Sequence, residues 1–190
     1  MPTAQQVYHM LGNDNLWEAA ATCHDLLRLN GLAHAICGGV AVCLHGYQRN
    51  TVDLDLLIRP DDAKRIREIL IEAGMEWDAK QKEFHSPSGI IIQFLIAGER
   101  AGKDSEARLP DPSLEAMVTA IDRLPVLALP RLIETKLACG EGDIRRTHKD
   151  FADVVELIAI HHLDSSFARF LHKSLRKTFR SLVRNARGSG

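Results

Sequence analysis

Between Cys37 and Arg59 the chain reads Cys-Gly-Gly-Val-Ala-Val-Cys-Leu-His-Gly-Tyr-Gln-Arg-Asn-Thr-Val-Asp-Leu-Asp-Leu-Leu-Ile-Arg, and the end of this stretch is its most restrictive feature. Asp53 and Asp55 alternate there with Val52, Leu54 and Leu56. Successive strand side chains point to opposite faces, so the two carboxylates share one face about 7 Å apart. The three aliphatic residues are expected to point into a core. The wet face of any amphipathic strand can look like this. Two carboxylates side by side on a rigid strand nevertheless repel each other unless a cation lies between them. Mg²⁺ suits such a place, because it prefers oxygen donors and takes only one or two carboxylates together with substrate phosphates.

The Gly pair narrows the choice. Gly38 and Gly39 follow an apolar segment, Leu32 to Cys37, and open a second one, Val40 to His45. That places them at a strand-to-helix turn, where bare backbone can approach a phosphate and the helix N-terminus favours an anion. The third glycine of a dinucleotide fingerprint is missing.

Gly38-Gly39, then Arg49-x-Thr51, then Asp53-Leu-Asp55 resembles the signature of the nucleotidyltransferase superfamily with the DNA-polymerase-beta-like palm. Within it, the chain looks most like the small bacterial branch that includes AbiEii-type toxins. The resemblance covers roughly Leu32 to Leu163. It implies an α+β fold, a small mixed sheet backed by helices with further helices at the C-terminus. It also implies an NTP substrate and Mg²⁺ or Mn²⁺ held by Asp53 and Asp55. Gly38, Gly39, Arg49, Thr51 and Lys136 would bind the nucleotide. A third acidic residue is expected on a neighbouring strand, and Gln93 stands in its place, so either two aspartates suffice or a nucleotide-binding shell without catalysis remains. AbiEii-like proteins also carry a Lys on one helix and an Arg-x-x-Lys-Asp-x-x-Asp-like stretch on the next. Lys136 and Arg146-x-x-Lys149-Asp150-x-x-Asp153 match that order. Lys136 would then hold a phosphate, its ammonium facing a cleft, and Asp150 would assist the acceptor or position the Lys. Without the resemblance, Arg146 with Asp150 and Lys149 with Asp153 read as ordinary i,i+4 ion pairs.

Elsewhere the spacing predicts a helix from Asn13 to Asn30, with Asn13 or Asp14 as cap. A second starts at Pro60-Asp61-Asp62 and carries Ile66, Ile69, Leu70 and Ala73 on one stripe until Gly74. Trp77 and Glu83 to His85 read as strand material. Ser86 to Gly89 reads as a turn and Ile90 to Ile96 as a buried strand, giving a hairpin. Gly98 to Pro112 is polar, broken by Gly and Pro, and expected to be a mobile loop. Leu124 to Leu129 reads as a last strand. A helix Arg131 to Cys139 follows Pro130 and is expected to end at Gly140-Glu-Gly142. An antiparallel neighbour follows, from Arg145 to His162.

The 190 residues suffice for one good core. No apolar run approaches the roughly 18 residues of a membrane span, and no signal-peptide pattern opens the chain. The four cysteines are scattered and read as small buried hydrophobes in a reducing cytoplasm. After Asp164 the character changes. Seven basic residues and no acidic one follow, on a chain of net charge −1, so a nucleotidyltransferase-like domain 1–164 is expected to carry a basic C-terminal helix, 165–190. Such a helix can pack on the protein's own acidic surface, contact a protein partner as in a toxin–antitoxin pair, grip RNA such as tRNA, or lie on an acidic membrane. Packing on the protein itself is the plainest of these readings, and no membrane role is expected.

Overall fold

The structure is a computed structural model and describes residues 14–187, so Asn13 and the closing Gly188 to Gly190 lie outside it. Leu16, Ala19, Ala20, Cys23 and Leu27 recur at helical spacing and are buried along one side of helix α1, Asp14–Leu29. Strand β1, His34–Cys37, is buried along its whole length and leads into the short helix α2, Gly38–Leu44. Strand β2, Asp53–Ile58, carries the aspartates. A 3₁₀ turn at Pro60–Asp62 then opens helix α3, Ala63–Glu72, which buries Ile66, Ile69 and Leu70. Strands β3, Glu76–Asp78, β4, Glu83–His85, and β5, Ile91–Ile96, form a meander. Strands β6, Val118–Ile121, and β7, Leu124–Leu127, form a second hairpin. Two helices follow: α4, Leu129–Gly142, and α5, Ile144–Ile160, the latter capped by the Asp143 carboxylate on the Arg145 amide. Helix α6, Arg176–Arg187, ends the described chain.

The strands make one mixed sheet in the order β3-β4-β5-β2-β1-β7-β6. Strands β2 and β5 run parallel, as do β1 and β7, while the remaining neighbours are antiparallel. Register puts Leu54, Ile92 and Phe84 in one row across three strands, and all three are fully buried. The neighbouring row, Asp55, Gln93 and Glu83, therefore lies on the opposite face.

Several expectations are corrected. Val52 is 65 % exposed, because the strand begins only at Asp53 and the preceding turn faces Thr51 inward instead. In β5 only Ile92 is fully buried. Helix α4 does not stop at Gly140 but runs through Gly142. A Cβ on Gly140 would come within 2.5 Å of the Phe151 ring, so the glycine serves close helix packing. The segment from Gly98 to Pro112 is pinned. Ala101, Ala107 and Leu109 are buried, Gly98 donates to the Leu109 carbonyl at 2.9 Å, and the Cys139 thiol lies 3.0 Å from the Ala101 carbonyl. Strand β6 had no sequence signal. Its hairpin turns through Asp122 and Arg123, both at positive φ without a glycine.

The C-terminal segment is two 3₁₀ turns, Ser165–Phe170 and Lys173–Leu175, and then α6. Its apolar stripe packs inward, with Ala168, Leu171, Leu175, Phe179 and Val183 buried in the common core. Polar ties fix it to α4: the His172 amide donates to the Glu134 carboxylate and the Thr178 hydroxyl to Glu141. Phe179→Ala is therefore expected to destabilise the protein by about 3–5 kcal/mol. Lys177→Ala on the exposed side should stay within about 0.5 kcal/mol. Urea unfolding of both variants checks the pair, and equal effects would mean that α6 is not part of the core.

Candidate active site

The glycines meet the functional side chains where no Cβ could fit. Cys37 pairs with Asp55 across β1 and β2, so the chain leaves β1 directly over that carboxylate. Gly38 has φ +60°, and a Cβ there would lie 1.7 Å from Asp55 Oδ2. A Cβ on Gly39 would lie 2.3 Å from Thr51 Oγ1 and 3.2 Å from Arg49 Nη2. Two bare residues thus bring the start of α2 against Asp55, Thr51 and Arg49 together. The Thr51 hydroxyl donates to Asp53 Oδ1 at 3.1 Å, fixing the first carboxylate.

Asp55 keeps part of its surface open while protein surrounds most of it. Burial, and then the charge of Asp53, hold its carboxyl above the usual carboxylate range. Lys136, Arg146 and Lys149 pull it back only in part. A carboxylate pair in that state, with hard oxygen donors only, fits a divalent cation of the Mg²⁺ class. Among the described residues no cluster of three or more His, Cys, Asp or Glu side chains gathers, so two carboxylates are what this centre offers.

Beside the pair runs a chain of alternating charges that is buried at its centre. Lys136 Nζ sits 2.9 Å from Asp150 Oδ1 and 2.8 Å from Asp153 Oδ2. Arg146 Nε donates to Asp150 Oδ2 at 3.1 Å, and Arg49 Nη2 to Asp153 Oδ2 at 3.0 Å. Arg49 Nε also lies 2.7 Å from Asp153 Oδ1, as a charge contact whose N–H is not aimed at the oxygen. Burial pushes the Lys136 ammonium down, but Asp150 and Asp153 outweigh it and hold it above its ordinary value.

All of the expected site residues therefore come together around one end of β2. Lys136 is 4 % exposed, however, and does not project into a cleft. Asp150 is fully buried and touches Lys136 and Arg146 only through side-chain pairs. The expected i,i+4 pair of Arg146 with Asp150 forms, whereas Asp153 leaves Lys149 for Lys136 and Arg49. Asp153 was legible only as a helix partner, since Arg49 lies 104 residues away. Gln93 stands opposite Asp55 on β5, as the motif order implied, but its amide nitrogen donates to Glu83 Oε2 at 3.0 Å. Glu83 had a usable signal, because with Phe84 inward it must share a face with Gln93.

No protein-family model matches the chain, and no curated protein matches it. Solved structures do. A Thermotoga maritima protein described as a nucleotidyltransferase superposes with a TM-score of 0.54 at 16% identity, over 73% of this chain and 93% of that one. The protein ANT(2″)-Ia, in complex with adenylyl-2″-tobramycin, gives 0.51 at 15% identity, over 84% and 93%. An antigenic nucleotidyltransferase-like protein from Paracoccidioides brasiliensis gives 0.50 at 17% identity, over 77% of each chain. The chain has the nucleotidyltransferase fold. No helix among the described residues is long and apolar enough to cross a membrane.

Lys136→Met leaves two buried carboxylates without their shared cation and should cost about 3–5 kcal/mol. Arg146→Met, at a side chain 55% exposed, should cost no more than about 1 kcal/mol. Equal losses in urea unfolding would contradict the arrangement. For Asp55, a raised folded pKa means that its contribution to stability is complete below the ordinary carboxylate range and is lost as pH rises through the folded value. With chelator present, Asp55→Asn should thus be more stable than the wild type at pH 7. The gap should close as pH falls below about 4. Thermal unfolding across pH measures this, and an Asn variant less stable at pH 7 would contradict it.

Proposed function

We propose that this chain is a metal-dependent nucleotidyltransferase that moves a nucleoside monophosphate from an NTP to a hydroxyl acceptor in RNA, protein or a small molecule. The observation that carries this reading is the contact of Gly38 and Gly39 with Asp55, Thr51 and Arg49. Bare backbone, a carboxylate pair and a guanidinium meet within one turn, which is what a metal-bound triphosphate requires. In the reaction, the acceptor oxygen bonds to the α-phosphorus while the bond from that phosphorus to the β-bridging oxygen breaks. Pyrophosphate leaves and the hydroxyl proton passes to solvent.

Asp53 and Asp55 would hold Mg²⁺ or Mn²⁺, which when bound neutralises phosphate charge and makes the attacking hydroxyl more acidic. Gly38 and Gly39 admit the phosphates to the backbone, and Thr51 steadies Asp53. Arg49 lends positive charge beside Gly39, oriented by Asp153. Lys136 acts from behind, through its field on Asp55, and Asp150 positions it. The contribution is positioning and charge placement, as phosphoryl chemistry asks. Adenylyl-2″-tobramycin bound to ANT(2″)-Ia supports, as a precedent, a nucleotidylated small molecule on this fold. The order of Lys136 and Arg146-x-x-Lys149-Asp150-x-x-Asp153 supports placing the chain with the AbiEii-like branch. For an RNA acceptor such as tRNA, the exposed Lys177, Arg180 and Arg184 of α6 offer a basic contact face. We place the protein in the cytoplasm.

A second reading has its own observation. Gln93 occupies the register position opposite Asp55, which favours a nucleotide-binding module without turnover, or a toxin–antitoxin-type interaction module on the same fold. Transfer from α-labelled NTPs to total tRNA, lysate or the protein itself separates the readings. Label should appear in one acceptor, and Asp53→Ala/Asp55→Ala should reduce it by about 10³-fold or more, the worth of several kcal/mol. Metal-dependent NTP binding with no transfer would leave the second reading standing instead.

A further inference from the structure

The row Asp55, Gln93, Glu83 crosses three neighbouring strands on one face of the sheet, with Gln93 between the other two. Gln93 is exposed there, and its side chain is turned to Glu83, with Nε2 3.0 Å from Oε2. Glu83 itself is only 13% exposed, with His85 Nε2 3.5 Å from its other oxygen. An ionised carboxylate accepts hydrogen bonds and donates none, whereas a glutamine amide has donors on its nitrogen and only acceptor capacity on its oxygen. Facing Glu83, Gln93 must therefore present its nitrogen, because the flipped amide would set two acceptors against each other. Its oxygen is then the end left for a ligand.

We propose that Glu83 is a positioning residue for the Asp53/Asp55 centre: it fixes the amide of Gln93 so that Oε1 serves as a neutral oxygen donor to a divalent cation held by the two aspartates. This rests on the reading of Asp53 and Asp55 as cation ligands. Position 93 thus keeps an oxygen in the row next to Asp55 without a third negative charge. The charge sits one strand further out, on Glu83, where it orients the donor.

The test is Mn²⁺ binding to the full chain without nucleotide, followed by electron paramagnetic resonance of the free ion, with thermal unfolding as a check on folding. Gln93→Ala should weaken binding about tenfold, and Glu83→Gln, which leaves the amide free to flip, by a similar factor. In the Gln93→Ala background, Glu83→Gln should add only about twofold, the salt-screened effect in water of one charge roughly 10 Å from a divalent cation. An equal loss in both backgrounds would overturn the proposal, and so would no loss in the wild-type background. Asp53→Ala/Asp55→Ala serves as the separate control on the centre. If binding persists without the aspartates, the reading of the centre falls with the proposal. If it vanishes there but ignores Gln93 and Glu83, the proposal alone falls.

Discussion

Lys136, 4 % exposed, is held between Asp150 and Asp153 and so ties α4 to α5. Three charges at this depth are costly to desolvate, and they are tolerable because Lys136 stands within 3 Å of both carboxylates. That requirement sets the register of α4 against α5, since the Lys comes from one helix and both carboxylates from the other. It also reaches the sheet. Asp153 takes the Arg49 guanidinium, and Arg49 belongs to the turn that feeds β2. The helices and the carboxylate pair are therefore tied through one charge chain, with Arg146 closing its outer end. Gly140 makes the helix approach possible by leaving room for Phe151.

What could be read in the sequence is what neighbours in sequence determine. The alternation of Asp53 and Asp55 with Leu54 and Leu56 fixes a face, and Gly38-Gly39 fixes a turn of bare backbone, so the residues that meet at the start of β2 could be named. The misreadings share a cause in contacts made at long range. Val52 fits the alternation, yet it lies outside because Thr51, one residue earlier, is drawn in against Gly39. Gly140 and Gly142 look like a helix stop until Phe151 and Lys103 are found pressed against them. Asp153 looks like the i,i+4 partner of Lys149, and only the fold brings Arg49 to it from another part of the chain. The segment after Gly98 is polar enough to read as mobile, while Ala101, Ala107 and Leu109 anchor it to α4 and the sheet. Turn chemistry accounts for β6, because Asp122-Arg123 adopts positive φ without the glycine that would have announced it.

The same charges decide how the candidate site meets an anion. Arg49, Lys136 and Arg146 exceed Asp150 and Asp153 by one positive charge, and that excess lies beside Asp53 and Asp55. That excess offsets only one of the two charges of the aspartate pair, and Asp55 feels Asp53 more than any single one of its cations. A third carboxylate at position 93 would strengthen the hold on a free cation, but it would also repel a triphosphate arriving at the same place. With Gln93 there, the centre is less attractive to a cation alone and less repulsive to a nucleotide that brings phosphate oxygens as further ligands. Under the proposed function, cation and triphosphate would then favour each other's binding, with a coupling that is reciprocal by linkage. A glutamine at this point of the sheet is therefore consistent with a site built around a metal–nucleotide complex, in which the substrate supplies the charge that the third strand does not.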